Sequence, residues 1–390
     1  MEATLKPVGE MLEAVPRQQK IKRSAYQQSG RFPIVDQSQA DIAGYTDDES
    51  WLYKGELPVV IFGDHTRVLK FVNFPFCVGA DGTQLLRPVE GNDIRYFYYA
   101  LRHVDLANYG YERHFKYLKE EQIPAPPLPV QRRIAGILSA YDELMENSQR
   151  RIRLLEAMAR ALYREWFVHF RFPGHEKHPR VASPLGDIPK GWELVTIDDV
   201  CARVTDGSHH SPKSVEEGMP MASSKDMHDW GLNLDTARQI SPEDFADLVR
   251  NDCKPKKNDV LITKDGANYL KYIFVTRAEQ EVVLLSSVAM LRPNARINPH
   301  LLAAILKEPE NKGRLKNYVT GAAIPRVILK DFKRFELLLP SKEVQTAWAK
   351  IAEPMTEQIW RLIDQIQNLH RTRDLLLPRL LSGQVELKTN

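Results

Sequence analysis

Few residues in this chain are spaced for bond-making chemistry. His175-Glu176-Lys177-His178 lacks the i,i+4 histidine spacing that puts two metal ligands on one helix face. His209-His210 has no Cys or carboxylate cluster with it, so hydrogen bonding is favoured over metal ligation there. No Gly-x-x-x-x-Gly-Lys-[Ser/Thr] loop is present to cradle nucleotide phosphates. Cys77, Cys201 and Cys253 lie far apart with no Cys-x-x-Cys, which argues against a disulfide framework or a zinc site and fits a reduced, cytoplasmic setting. Neither a metal site nor a cofactor is expected on this chain.

What the chain does carry is loops rich in Lys, Arg, Asn, Gln, Tyr and His. Arg and Lys suit guanine edges, Asn and Gln suit adenine, and any of them can seat a phosphate. One set is Lys20, Lys22, Arg23, Tyr26 and Gln27, then His65, Arg67 and Lys70, then Arg113, His114 and Lys116. A second set is Ser208, His209, His210, Lys213 and Lys225, then Lys264, Asn268, Tyr269 and Lys271, and finally Arg326. Lys264-Asp265-Gly266-Ala267-Asn268-Tyr269 directly follows an apolar strand, as a loop presenting side chains at a sheet edge does. The net charge of +3 is too small to announce nucleic acid; the clustering carries the case. No helix-turn-helix or zinc-finger spacing appears, so if double-stranded DNA is the partner, loops must read it. Asn73-Phe74-Pro75-Phe76 comes near the Asn-Pro-Pro-Phe of amino-methyltransferases but has Phe at the second position, and it is expected to be a buried strand.

The elements that must position these loops are dominated by one long run. From Leu128 to Phe172, Ile134, Leu138, Tyr141, Met145, Ser148, Ile152, Leu155, Ala159, Leu162 and Trp166 are spaced 4-3-4-3, a seam of about five heptads. A helix from Val130 to Phe167 would be roughly 57 Å long, a spacer rod. A second long helix is expected from Glu343 to Leu381, closed by Gly383. Its seam reads Trp348, Ile351, Met355, Ile359, Leu362, Ile366, Leu369, Leu376 and Leu380, broken beside Pro354 and interrupted by Arg373. Strands are expected at Phe32–Val35, Val59–Phe62, Val68–Val72, Val260–Thr263, Tyr272–Val275 and Val282–Leu291, with a helix at Ile94–Val104. Pro173 to Gly191 reads as a linker. The length of 390 residues leaves room for two or three domains, and neither a signal segment nor an 18-residue apolar stretch occurs, so no membrane role is expected.

The chain also repeats itself. Leu118-Lys119 is answered by Leu329-Lys330, Leu128-Pro129 by Leu339-Pro340, and Gly110 by Gly321, all at one offset. Leu86-Arg87-Pro88 matches Leu291-Arg292-Pro293, and Asp64 with Leu69-Lys70-Phe71-Val72 matches Asp265 with Leu270-Lys271-Tyr272-Ile273. The plan is globule, long helix, globule, long helix, and a twofold relation would set the helices antiparallel.

Leu128-Pro129-Val130-Gln131-Arg132-Arg133-Ile134 and Leu377-Pro378-Arg379-Leu380-Leu381-Ser382-Gly383 resemble the specificity subunit of type I restriction–modification enzymes. So do Asp206 to Lys213 and Ser223-Ser224-Lys225-Asp226, and the resemblance covers essentially the whole chain. It implies an α+β protein: two mixed target-recognition domains separated by two long antiparallel coiled-coil helices, with an internal pseudo-twofold repeat. The corresponding division is 1–128, 129–180, 181–340 and 341–390. It implies a non-catalytic subunit that recognises a bipartite DNA target. It also implies two modification (methyltransferase) subunits as partners, leaves room for restriction (nuclease–translocase) subunits, and assigns S-adenosylmethionine and Mg/ATP to those partners. Two other classes stay open on the residues alone. A stand-alone DNA-binding regulator would bind its target tightly without a methyltransferase. A nuclease or methyltransferase with an unfamiliar site would turn over with Mg²⁺ or S-adenosylmethionine.

Overall fold

The computed structural model describes residues 4–16, 18–106, 113–183, 186–321, 325–385 and 387. The chain divides into two units, Met1–Gln149 with Ile363–Asn390, and Arg150–Leu362. Each unit therefore holds one globule and about half of each long helix, Leu128–Tyr163 and Lys342–Leu381.

In the first unit, Val59–Gly63 is the centre of an antiparallel sheet flanked by Leu69–Val72 and Thr83–Leu86. All five residues of Val59–Gly63 are buried, as a run apolar on both faces requires. Phe32–Val35 pairs antiparallel with Gly44–Thr46 and parallel with Cys77–Val78. The helix Ile94–Arg102 starts at Asp93, whose carboxylate accepts from Tyr96 N at 2.8 Å and caps the first turn. Its buried face, Tyr96, Phe97, Ala100 and Leu101, shares a core with Ile134, Ala135 and Leu138 of the first long helix and Leu377, Leu380 and Leu381 of the second. Each of those leucines stabilises the unit by about 1.5–3 kcal/mol on burial. Ile134 and Leu138 share this core with Leu377–Leu381, while Asp142, further along the first helix, bonds to the earlier Arg373 of the second. The helices are antiparallel in this unit.

The second unit repeats the plan. Val260–Thr263 sits between Ile273–Val275 and Val288–Pro293, and Met219–Ala222 pairs antiparallel with Arg238–Ile240 and parallel with Val283–Leu284. Asn298 caps the helix Pro299–Lys307 as Asp93 caps its counterpart. A further strand, Cys201–Asp206, extends the sheet beside Val288–Pro293; in the first unit it shrinks to the single bridge between Leu12 and Pro88. Tyr163, Trp166 and Phe167 at the end of the first long helix pack with Phe172, Trp192 and Trp348.

Hydrogen bonds fix how the halves correspond, and they correct the register read from residue likeness. Val8 N donates to Glu121 O and Ile197 N to Phe335 O, so Glu121 answers Phe335 and the matches of Leu118 to Leu329 and Leu128 to Leu339 fall one helical turn out. Gly110 lies outside the described residues. The match of Leu86 to Leu291 is in register, because each pairs with the central strand, at Val60 and Val260. Leu69–Val72, by contrast, is a strand, whereas Leu270 and Lys271 precede one; Phe71 and Val275 face those same central residues. In this register both seams align position by position, Ile134 with Trp348 through Trp166 with Leu380. The second seam then runs through buried Ala352, not the exposed Ile351, and through buried Arg373, with no break beside Pro354. Pro173 to Gly191 is no bare linker: Arg180–Ser183 and Gly186–Pro189 pair as strands, and Phe172 and Ile188 are buried. Asn73–Phe76 is a bend between strands, with Phe76 buried against Tyr53.

Candidate nucleic-acid interface

Three loop positions recur in both units, and the backbone sets each of them. Ile21 N donates to Val78 O at 2.9 Å, and Ser208 N to Leu284 O at 2.7 Å, each beside the parallel strand pair. The exposed pairs Lys22-Arg23 and His209-His210 follow these anchors and occupy equivalent places. After the central strand, Asp64 N donates to Gly82 O and Lys264 N to Ser287 O, both at 2.8 Å. Asp64 O then accepts from His114 N at 2.8 Å, and Lys264 O from Val327 N at 3.1 Å. Immediately before those donors stand Arg113 and Arg326, both exposed. The two sets of loops read from the sequence are thus one set of places used twice.

Within the first unit the predicted residues separate into presented and structural ones. Lys22, Arg23, Gln27, His65, Arg67, Arg113 and Lys116 are exposed. Arg67 holds a left-handed φ of 60° and donates Nη1 to Leu106 O at 3.2 Å, which fixes its stem. Lys70 is corrected: it is 8% exposed, and its ammonium donates to Asp36 O at 2.8 Å and Ala40 O at 2.5 Å, with burial pushing its pKa down. His114 is also corrected, being buried with Nδ1 3.0 Å from Asp64 O. Lys20 donates to Thr83 O at 2.6 Å, and burial lowers its pKa against the opposing pull of Asp81 and Asp64. Tyr26 donates to Asp36 at 3.2 Å, and burial, then that carboxylate, drives the phenol pKa up. Lys20 and Tyr26 therefore brace their loops.

In the second unit His209, His210, Lys213, Lys225, Lys271 and Arg326 are exposed. His209 Nε2 lies 3.2 Å from Asp206, and Arg326 Nε lies 3.3 Å from Asp265. Lys271 Nζ sits 4.8 Å from the Tyr272 ring centre. Lys264 is corrected: 4% exposed, it donates to Asp206 Oδ2 at 2.5 Å and ties two loops together. Ser208 is buried too, its hydroxyl donating to His210 O and accepting from His210 N, so it shapes the turn that presents the histidines. Tyr269 packs against the core, and Asn268 is half-buried in the same turn, which Gly266 opens with a φ of 79°. Sequence reasoning missed Gln37 and Asp206 as loop anchors. Gln37 Oε1 accepts from His65 N at 3.1 Å, and its Nε2 donates to Asp81 O at 2.7 Å. Gln37 follows the strand Phe32–Val35, and Asp206 ends the strand Cys201–Asp206.

Two segments, 2–157 and 189–369, match the family model described as the type I restriction modification DNA specificity domain. The chain belongs to that family. It is 26% identical over 70% of its length to the type I restriction enzyme MjaIX specificity subunit of Methanocaldococcus jannaschii, covering 62% of that relative. To the MjaVIII specificity subunit of the same organism it is 21% identical over 70% of its length, covering 64%. The chain thus spans less than two thirds of the length of these two relatives. A crystal structure of the type I restriction-modification S subunit from M. genitalium shares the fold, with a TM-score of 0.58 at 16% identity over 99% of this chain and 96% of that one.

Two specificity domains in one chain agree with two copies of one loop set. Among the described residues no group of three or more His, Cys, Asp or Glu is placed to hold a metal ion. The described cysteines are free and buried, and burial pushes the Cys201 thiol up to about 12, away from nucleophilic use. His175 and His178 are turned to the backbone, at 2.9 Å from Phe172 O and 2.8 Å from Lys190 O. No described helix is long and apolar enough to cross a membrane.

Proposed function

We propose that this chain is the non-catalytic DNA-specificity subunit of a cytoplasmic type I modification complex, with each globule reading one half of a bipartite duplex target. The observation that carries the reading is the equivalence of the presented residues, Lys22-Arg23 with His209-His210 and Arg113 with Arg326, on two copies of one framework. Different side chains at the first of these places are what two different half-sites require, because base edges are discriminated by donor and acceptor type. The paired helices act as the spacer and carry the partners. Leu144 at 50%, Leu154 at 58%, Met158 at 54% and Leu375 at 58% exposure are apolar groups left on their outer faces for two modification subunits. Phe167 at the end of the first long helix is buried against Trp192 and Trp348 and is not among them. S-adenosylmethionine, Mg²⁺ and ATP are assigned to partner subunits, including any restriction subunit.

The test is to map methylated bases in cells that make this chain with its modification subunit. One two-part sequence with a fixed gap is expected. A contiguous methylated sequence, or none while the complex forms, would contradict the proposal. Inserting four residues in each helix, between Arg151 and Leu155 and between Leu362 and Ile366, lengthens both by about 6 Å, the rise of roughly two base pairs. The gap should widen with the half-sites unchanged.

A further inference from the structure

Asp142 lies where three elements of the first unit meet. It belongs to the first long helix and accepts from Tyr99 Oη at 2.5 Å and from Arg373 Nη1 at 2.6 Å. Tyr99 comes from the globule's helix Ile94–Arg102 and is 2% exposed; Arg373 comes from the second long helix and is 6% exposed. Arg373 also donates to Asp374 at 2.8 Å and stands 3.2 Å from His370 Nδ1. A guanidinium in a seam is costly, since apolar residues of similar volume there are commonly neutral or stabilising by comparison. The best-attested reason to keep a polar group in such a seam is that it selects one arrangement among several.

The second unit shows that the fold does not need this junction. Asp93 N and Asn298 N donate to Gln131 Oε1 and Gln345 Oε1, which aligns the two helix systems. In that alignment Tyr99 is answered by Ala304, Asp142 by Thr356 and Arg373 by Ala159, and all three line a cavity of about 300 Å³. The globule there is tied instead by Trp230 Nε1, which donates to Glu156 Oε1 at 2.6 Å, by Asn298 Nδ2, which donates to Glu353 Oε1 at 2.7 Å, and by the Arg164–Glu308 ion pair.

We infer that Tyr99, Asp142 and Arg373 are specificity-determining positioning residues, which hold the first globule at one angle on the paired helices and so confine recognition to one half-site spacing. This rests on the bipartite reading above. Two directional bonds to one carboxylate fix an angle, whereas an apolar contact permits sliding.

The experiment maps methylated bases made by the full complex carrying variants of this chain. Asp142→Leu with Arg373→Leu removes both charges and leaves neither buried alone. That variant is expected to fold, to methylate the same two half-sites, and to raise the fraction of sites at a wrong gap about tenfold, equivalent to ~1.4 kcal/mol of lost discrimination. Reversing the pair, Asp142→Arg with Arg373→Asp, should narrow the gap again, which a packing role alone would not do. Tyr99→Phe removes one oxygen from an intact fold and should show a smaller broadening. A single gap retained by Tyr99→Phe and by the folded double variant would overturn the inference, as would broadening that the reversed pair fails to narrow. A wild-type complex that methylates no two-part sequence would overturn the underlying reading instead.

Discussion

The two units share their framework and differ in what hangs on it. In both, one buried glutamine at the start of a long helix joins helix to globule: Gln131 Nε2 donates to Pro126 O and Gln345 Nε2 to Pro340 O, each at 2.9 Å. In both, the central strand hands its last backbone groups to the same loops. The side chains on those loops, and the tie between globule and helices, are what change. A basic Lys22-Arg23 stands where the other unit has His209-His210, and a Tyr99–Asp142–Arg373 network stands where the other has two alanines, a threonine and a cavity. Shared hydrogen bonds mark the common framework, and the exposed side chains that differ are the ones we propose to read DNA.

The comparison breaks first at the glutamines. Gln131→Ala and Gln345→Ala each leave buried backbone groups without partners, so each should destabilise its own unit by about 2–4 kcal/mol. Hydrogen exchange in each unit separately would check this, and a large effect in one with none in the other would mean the junctions are not equivalent. Next come the buried lysines. Lys264→Met removes the buried ion pair of Asp206, and Lys70→Met strands the carbonyls of Asp36 and Ala40. Each should cost roughly 1–3 kcal/mol in denaturant titrations. Direct base readers would instead lose affinity with stability unchanged. A pH-dependent effect is confined to the second unit. Burial lowers the Lys307 ammonium from 10.5 to about 8, beside the Trp230 ring at 4.4 Å. A lowered lysine pKa means the unfolded chain binds the proton more tightly, so stability should rise as pH climbs from about 8 toward 10.5, by up to ~3 kcal/mol. Thermal melts should show that slope in wild type and lose it in Lys307→Met.

Much of the framework was legible because it is written in apolar spacing. Val260-Leu261-Ile262-Thr263 is a strand as its buried run demands, and the first helix buries its seam at Ile134, Leu138, Met145 and Ser148 as its heptads demand. The second seam was misread where size and position disagree: Ile351 is larger than Ala352 but points outward. Arg373 looked like an interruption because its counter-charge, Asp142, comes from a helix 231 residues away. The loops were legible as clusters, and Arg113, Arg326 and the pairs Lys22-Arg23 and His209-His210 are exposed. Lys70, His114 and Lys264 turn inward for one reason. Polar residues next to a buried strand turn inward when a carbonyl or carboxylate waits there, and a sequence does not display that partner.

The central claim is that each unit reads its own half of the target, and the equivalent arginines test it most directly. Arg113→Ala and Arg326→Ala would be made in the full complex, and binding measured on duplexes altered in one half or the other. Each variant should lose discrimination at a different half-site, by about 1–3 kcal/mol if its arginine reads a base edge. Loss of discrimination at the same half by both variants, or an equal loss at both halves by either, would contradict separate reading.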